Sequence, residues 1–269
     1  MSFSIDGKTA IVTGAANGIG LAIARKFADI GANVMLADMD EDKLKSEEES
    51  LHDAGSEARS FAGDVREKLT LANLLSATID AFDRVDILVN ASRQVAKSDP
   101  LNPKSDNFDA LWKQNVLSSF RLSQLVAKRF IHQATEAESE SKDVGSIINL
   151  TSIASERAHS DLLAYSVSCA ALNQLTRSMA VSLAPQKIRV NAISIGSVMS
   201  ASLQGVLSED GDLREKIEGV TPMGYIAEAD AVAEAAQFLA SEASSFVTGQ
   251  IVTVDGGRTL IDPAALAFH

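Results

Sequence analysis

Near the start of the chain stands Thr9-Ala-Ile-Val-Thr-Gly-Ala-Ala-Asn-Gly-Ile-Gly20, in which a short apolar run leads through three glycines into a helix. We predict this helix over Gly18 to Ile30. The free backbone N–H groups and the dipole at a helix start attract phosphate, and glycines let the backbone approach it closely. The G-x-x-x-G-x-G spacing between strand and helix therefore predicts a pyrophosphate site.

Short apolar runs rich in Val and Ile alternate with helical segments along the rest of the chain. Near-continuous apolar runs are typical of strands buried on both faces, and strand–helix alternation implies right-handed crossovers into one parallel sheet. We predict a single doubly wound, Rossmann-like α/β domain over residues 1–269, with a parallel seven-stranded sheet flanked by helices. The predicted strands are Thr9–Val12, Asn33–Ala37, Ala58–Phe61, Val85–Val89, Ser146–Leu150, Ile188–Ile193 and Gln250–Val254.

Composition and charge narrow the class of partner. The 269 residues are 46% hydrophobic and carry a net charge of −12, which argues against nucleic acid or an anionic membrane. A single cysteine, Cys169, excludes an intrachain disulfide and fits a reducing compartment. The histidines show no metal-ligand spacing, so no metal site is predicted. Without a signal-peptide pattern or a long apolar span, we expect a cytoplasmic location.

Asp38 ends the second predicted strand, about 20 residues after the glycine turn. A carboxylate there accepts hydrogen bonds from adenosine ribose hydroxyls and repels a 2′-phosphate. Met39 follows, and the glycine turn contains no Arg or Lys. These residues favour NAD(H) over NADP(H), although an aspartate that merely begins a loop is the competing interpretation.

Three later motifs are Leu111-Trp-Lys-Gln-Asn115, Ile148-Asn-Leu-Thr-Ser152 and Tyr165-Ser-Val-Ser-Cys169. Together with the glycine turn, they resemble the short-chain dehydrogenase/reductase family over nearly the whole chain. The resemblance implies an NAD(H)-dependent oxidoreductase acting on a secondary alcohol or ketone. In it Tyr165 is the general acid or base, Ser152 binds the developing alkoxide, and Asn115 kinks its helix and holds a water in the proton path.

The resemblance also implies which residues contact the cofactor. Arg189-Val-Asn-Ala-Ile-Ser-Ile-Gly196 is similar to the strand and turn that hold the nicotinamide, and Asp64-Val65 is similar to the adenine-contacting pair. A solvated turn aspartate is a close alternative for Asp64. The implied contacts are Gly14, Asn17, Gly18, Ile19, Gly20, Asp38, Asp64, Val65, Asn90, Ile195, Gly196 and Val198.

Three positions depart from the family pattern. Cys169 stands where the family has lysine, Arg93 replaces the glycine of the family's Asn-Asn-Ala-Gly stretch, and Ile195-Gly196 replaces a Pro-Gly turn. A tyrosine with a pKa of about 10 is ionised in only one molecule in a thousand at neutral pH. Loss of the lysine charge alone predicts an activity lower by about 10²–10³-fold.

Two interpretations of these changes stay open. Arg93 brings its guanidinium into the space vacated by lysine, or it is an ordinary surface arginine. Cys169 is either a reactive thiol or, by default, a small apolar helix residue.

Further expectations come from the resemblance. Residues from about 197 to 225 are expected to form a substrate lid that includes Leu203 and Val206, and small residues on the Tyr165 helix fit a homotetramer or dimer. The leading hypothesis is an oxidoreductase with an atypical, weakened active site. The alternatives are a catalytically impaired dinucleotide-binding homologue with a structural, sensing or assembly role, and an isomerase or dehydratase that uses Tyr165 without net redox.

Overall fold

The computed structural model describes residues 3–138, 141, 143–196, 198–209 and 211–262. It contains one sheet of seven strands, and all of their pairings are parallel. The single α/β domain with a seven-stranded parallel sheet is thereby confirmed. The strands are β1 (Thr9–Thr13), β2 (Asn33–Asp38), β3 (Ala58–Ala62), β4 (Ile87–Asn90), β5 (Gly145–Ser152), β6 (Ile188–Ile195) and β7 (Ile251–Val254).

Helices connect successive strands and cover both faces of the sheet. A wide π-helical turn, Trp112–Leu117, joins the fourth helix to the fifth. The helices are α1 (Gly18–Asp29), α2 (Glu41–Asp53), α3 (Lys68–Phe82), α4 (Phe108–Leu111), α5 (Ser118–Glu136), α6 (Leu163–Leu183), α7 (Ala201–Glu209), α8 (Leu213–Gly219) and α9 (Asp230–Ala240).

The buried apolar residues form one layer on each face of the sheet. One layer contains the inward faces of α1, α2 and α9, and the other those of α3, α5 and α6. Strands β1, β4, β5 and β6 are buried along their whole length, as their apolar runs predict. Among the described residues, no helix is both long and apolar enough to cross a membrane.

The strand order β3-β2-β1-β4-β5-β6-β7 places a switch point between β1 and β4. The chain runs outward from β1 in one direction and from β4 in the other. Helices therefore leave the carboxyl ends of these two strands on opposite faces and open a crevice between them. The glycine turn after β1 and the Arg93 segment after β4 both lie at this crevice.

Some strands begin or end at other residues than the sequence predicts. β4 begins at Ile87 rather than Val85, because the Gln133 side chain binds both the N–H and the C=O of Val85, at 3.0 and 2.8 Å. β5 and β6 run beyond their predicted ends to Ser152 and Ile195, which pair with each other. This extension carries both residues to the crevice.

Candidate active site

A cleft of about 1450 Å³ opens at the carboxyl ends of the central strands. It runs from the glycine turn, past the end of β2, to the segment after β5 and the start of α6. Helices α7 and α8 contribute Leu203, Val206 and Gly219 to its wall. Positions 197 and 210 of the predicted lid lie outside the described residues.

The glycine turn is held by contacts that leave no room for side chains. Gly14 and Gly18 have φ values of 70° and 57°, in the left-handed region that favours glycine. A Cβ on Gly20 would lie 2.1 Å from the carbonyl oxygen of Gly14, so that α1 could not begin this close to β1. All three glycines line the cleft.

The start of α1 fits a dinucleotide phosphate. Asn17 is the N-cap residue, but its side chain makes no capping hydrogen bond to the first turn. The amides of the first turn have no partner within the helix, and the helix dipole favours an anion beside them. Asn17 and Ile19 line the cleft with the glycines, so the predicted pyrophosphate site is formed by adjacent residues.

Asp38 lies at the end of β2 with its carboxylate fixed toward the cleft. Its oxygens accept hydrogen bonds from the backbone amides of Ala16, Met39 and Asp40, at 3.2, 2.7 and 3.3 Å. A carboxylate offers about four acceptor positions, so one remains for a ribose hydroxyl.

Asp64 and Val65 are not among the residues that line the cleft, and this differs from their predicted adenine contact. The Asp64 carboxylate forms a bidentate ion pair with Arg66, with the closest atoms 2.7 Å apart. The hydrogen bonds from Arg66 hold the pKa of Asp64 below its usual value. Arg66, rather than Asp64, is the residue of this turn that lines the cleft.

The end of β6 provides the other wall of the cleft, with Ile195, Gly196 and Val198. A Cβ on Gly196 would lie 2.6 Å from the Cβ of Asp255, so glycine is required for the approach of β7. Asn90 differs from the prediction. Its side-chain amide is buried below the cleft, where it donates to Ser123 and Asn149 at 3.0 and 2.8 Å and joins β4 to α5 and β5.

Tyr165 and Ser152 meet at the floor of the cleft. Both side chains are buried, and both residues line the cavity. Burial raises the pKa of the Tyr165 phenol, whereas the Arg93 charge and a hydrogen bond with Ser152 lower it. The Ser152 oxygen also accepts a hydrogen bond from the Ala154 amide at 3.2 Å. This fixed hydroxyl beside a buried phenol is suited to binding a substrate oxygen.

Arg93 contacts the same phenol. Its Nη1 donates a hydrogen bond to the Tyr165 hydroxyl at 2.9 Å and a second one to the carbonyl oxygen of Thr151 at 3.1 Å. The sequence left two alternatives open, a guanidinium near the phenol or an ordinary surface arginine. The hydrogen bond to Tyr165 excludes the second. The available signal was a long cationic side chain just after β4, at the position where the family has glycine.

Asn115 lies in the π-helical turn, outside the cleft lining. Its side chain accepts from the Gln94 amide at 2.8 Å and donates to the Gln94 carbonyl oxygen at 3.0 Å. A further bond reaches the Ser168 hydroxyl at 3.1 Å. Asn115 therefore joins the segment after β4 to the tyrosine helix.

Cys169 lies behind the phenol, packed in a small cluster with Leu111, Ala164 and Tyr165. It does not line the cleft, which differs from its assignment to the catalytic set. Burial raises the pKa of the thiol, so it is protonated at neutral pH. This environment agrees with a small apolar helix residue and not with a reactive thiolate.

The chain is similar to known proteins over almost all of its length. A family model described as enoyl-(acyl carrier protein) reductase matches residues 14–259. The 7alpha-hydroxysteroid dehydrogenase of Escherichia coli (strain K12) is 35% identical over 253 residues, which cover 94% of each protein.

Solved structures agree with the sequence comparison. A 7 alpha-hydroxysteroid dehydrogenase complexed with NADH and 7-oxo glycochenodeoxycholic acid has a TM-score of 0.87 and 34% identity, and 95% of each chain is covered. A gluconate 5-dehydrogenase from Burkholderia cenocepacia in complex with NADP and tartrate has a TM-score of 0.86 and 31% identity, and covers 97% of this chain and 98% of its own. The two structures hold different nicotinamide dinucleotides, so the likeness extends to that class of cofactor.

Proposed function

This chain belongs to the short-chain dehydrogenase/reductase family, and we propose that it is an NAD(H)-dependent oxidoreductase acting on a secondary alcohol or ketone. One observation carries the proposal. Tyr165 and Ser152 lie side by side in the same cleft that begins at the glycine turn. A proton donor and a hydrogen-bonding hydroxyl thus share one cavity with a phosphate-binding helix start.

The chemistry needs a proton to move at the substrate oxygen while a hydride moves at the carbon. When bound, a nicotinamide ring supplies or accepts that hydride. In the reduction direction, the Tyr165 hydroxyl donates its proton to the carbonyl oxygen and becomes a phenolate, and in oxidation it takes the proton back. Ser152 hydrogen-bonds the same oxygen and fixes its position.

We propose NAD(H) rather than NADP(H) on the charges at the adenosine end. The fixed carboxylate of Asp38 would repel a 2′-phosphate. Arg66 also lines the cleft, but two nitrogens of its guanidinium are bound by the Asp64 carboxylate. A 2′-phosphate would have to displace that carboxylate.

The active site is atypical, and we expect slower turnover than in a relative with the family's lysine. Cys169 offers no cation to a nicotinamide ribose, because a thiol carries no positive charge, and its side chain does not line the cleft. The same observation favours the alternative function, a dinucleotide-binding homologue without turnover. The two functions differ in whether a ketone is reduced.

The test is NADH-dependent reduction of a panel of secondary ketones that includes 7-oxo glycochenodeoxycholic acid, monitored by loss of NADH absorbance. We expect the protein to reduce at least one of them, and Tyr165→Phe to lower that rate by about 10²–10⁴-fold. Ser182→Ala removes a hydroxyl from the exposed end of α6 and serves as the matched control. Equal rates in wild type and Tyr165→Phe would contradict the proposal, and NADH binding without reduction would favour the homologue.

The proposal has two further parts, a lid over the cavity and the oligomeric state. We propose that the segment of about residues 197–225 acts as a lid; of its described residues, Leu203 and Val206 line the cleft. The chain forms a homotetramer or dimer through α6, on which Val167 and Val181 are exposed. Light scattering of the purified protein measures the oligomeric state directly.

A further inference from the structure

We propose that Arg93 supplies the positive charge at the Tyr165 phenol, in place of the lysine that the family carries at the position of Cys169. The proposal rests on the function proposed above and deepens it, because it names the group that makes Tyr165 an effective acid and base. Its central observation is the hydrogen bond of 2.9 Å from Arg93 Nη1 to the Tyr165 hydroxyl. The cation thus comes from the segment after β4 instead of from the tyrosine helix.

The backbone before Arg93 is held by a side chain of β1. The Thr13 hydroxyl oxygen accepts hydrogen bonds from the amides of Ala91 and Ser92, at 3.0 and 3.1 Å. Gly14 allows this close approach, because a Cβ there would lie 2.9 Å from the Ser92 nitrogen. These contacts fix the path of the backbone from the end of β4 to Arg93, whose side chain reaches the phenol.

The backbone after Arg93 is held equally firmly. Asn115 binds both the N–H and the C=O of Gln94, as a neighbouring strand would. The guanidinium has a second anchor at the Thr151 carbonyl oxygen, 3.1 Å from Nη1. Two hydrogen bonds thus hold the guanidinium of Arg93 and two hold the backbone of the next residue, so the charge has little freedom to move away from Tyr165.

Two of the three departures from the family pattern, Arg93 and Cys169, both lie next to Tyr165. Arg93 is not among the residues with positive φ, so a side chain stands there without backbone strain. Cys169 is small and packs behind the phenol. A lysine at position 169 would bring a second cation to the oxygen that Arg93 already contacts, and the two like charges would repel each other.

The electrostatics support the geometry. Burial raises the pKa of Tyr165, and the Arg93 charge opposes that rise most strongly. The other titratable group that acts on the phenol is the Cys169 thiol on α6, which raises the pKa of Tyr165 further. Arg157, His159 and Arg258 line the same cleft, whereas the charged side chain hydrogen-bonded to this phenol is Arg93.

The decisive measurement is the titration of Tyr165 itself, by phenolate absorbance of the cofactor-free protein. The chain has only two tyrosines, so a Tyr225→Phe background leaves Tyr165 as the sole signal. Arg93→Gln keeps a donor but removes the charge. We expect Tyr165 in this variant to titrate at higher pH than in its background, so that at the highest pH where both proteins stay folded its phenolate fraction is at least about tenfold lower. In Arg93→Lys, which keeps the positive charge, Tyr165 should titrate within about one pH unit of the background.

The matched control is Arg177→Gln, which removes the same charge from an exposed position on the tyrosine helix. It should leave the titration of Tyr165 unchanged. Circular dichroism at each pH restricts the comparison to folded protein. If Tyr165 titrates at the same pH in Arg93→Gln as in its background, the proposal is overturned, whether or not the protein reduces ketones.

Turnover gives a second, independent test. With any ketone that the wild type reduces, Arg93→Gln should be slower at neutral pH by about 10²–10³-fold, with its pH–rate profile displaced to higher pH. The double variant Arg93→Gly with Cys169→Lys restores the family arrangement and should be at least tenfold faster than Arg93→Gly alone. A faster Arg93→Gln enzyme would mean that the guanidinium blocks the phenol, and a double variant no faster than Arg93→Gly would also count against the proposal.

Discussion

At the scale of the residue, the proposed preference for NAD(H) rests on the carboxylate of Asp38. Three backbone amides orient its carboxylate, so the charge stays at the ribose end of the cleft. A fixed charge repels a phosphate more effectively than a mobile one, because it cannot turn toward solvent. The preference for NAD(H) is therefore expected to depend on this one group.

Asp38→Asn keeps the size and an acceptor oxygen but removes the charge. We expect the ratio of NADP to NAD affinity to rise about tenfold or more, the effect of deleting one unit charge near a phosphate. Isothermal titration with each cofactor measures the ratio. Asp42→Asn, an exposed carboxylate in the first turn of α2, is the matched control. An equal change in the control would assign the effect to net charge and not to Asp38.

The residue scale also marks the limit of what the sequence could predict. The glycine turn, Asp38, Ser152 and Tyr165 were predicted as site residues from motifs, and the structure places all of them at the cleft. The contact between Arg93 and Tyr165 joins residues 72 positions apart and depends on a side-chain conformation. Motif spacing carries no information of that kind, so the sequence could only pose it as an alternative.

The same limit applies to two of the predicted cofactor-binding residues. Asn90 ends β4 and Asp64 follows β3, but their side chains bind Asn149 and Arg66 in this structure. Whether such a side chain binds a ligand or another side chain depends on how the surrounding residues pack, and motif spacing does not give that packing.

At the scale of the element, the start of α1 is defined by the approach of Gly20 to Gly14. Only hydrogen fits between the α carbon of Gly20 and the carbonyl oxygen of Gly14. The turn and the helix start thus form one rigid unit, and a change in the helix opens the turn.

Gly20→Ala tests this unit. The added methyl would lie 2.1 Å from the Gly14 oxygen, so the backbone must shift. We expect the free energy of unfolding to fall by about 1–3 kcal/mol, as for other overpacked sites, and NADH binding to weaken. Urea unfolding and NADH fluorescence titration measure the two effects.

The control is Gly205→Ala in α7, where an added methyl meets nothing within 4 Å. Alanine is the better helix former there, by roughly 0.5–1 kcal/mol, so this variant should be slightly more stable. Unchanged NADH binding in Gly20→Ala would show that the turn tolerates a displaced helix.

Strand and helix types were predictable because the apolar period is a local property of the sequence. The widened turn at residues 112–117 was not, since a π-helix has no distinct apolar period. The turn places the Asn115 side chain within hydrogen-bond distance of the Gln94 backbone.

At the scale of the whole molecule, the end of the sheet opposite the cleft is closed by a buried charge. Arg189, at the start of β6, is 5% exposed and pairs with Asp143, which is 10% exposed, at 3.0 Å. It also donates to the carbonyl oxygens of Leu239 and Ser241 and to the Ser244 hydroxyl. One guanidinium therefore joins β6 and the entry to β5 to the end of α9.

Arg189→Leu should destabilise the whole fold without altering the cleft. Removing one partner leaves the Asp143 carboxylate buried and unpaired, which costs about 3–5 kcal/mol. Arg25→Leu breaks a shorter pair, 2.6 Å, with Glu47, but Arg25 is 54% exposed, so about 0.2–1 kcal/mol is expected. Urea unfolding measures both, and NADH affinity of the folded protein should match wild type in each. Equal losses in the two variants would mean that the buried pair contributes no more than a surface one, and that packing of α9 against the sheet alone holds this end closed.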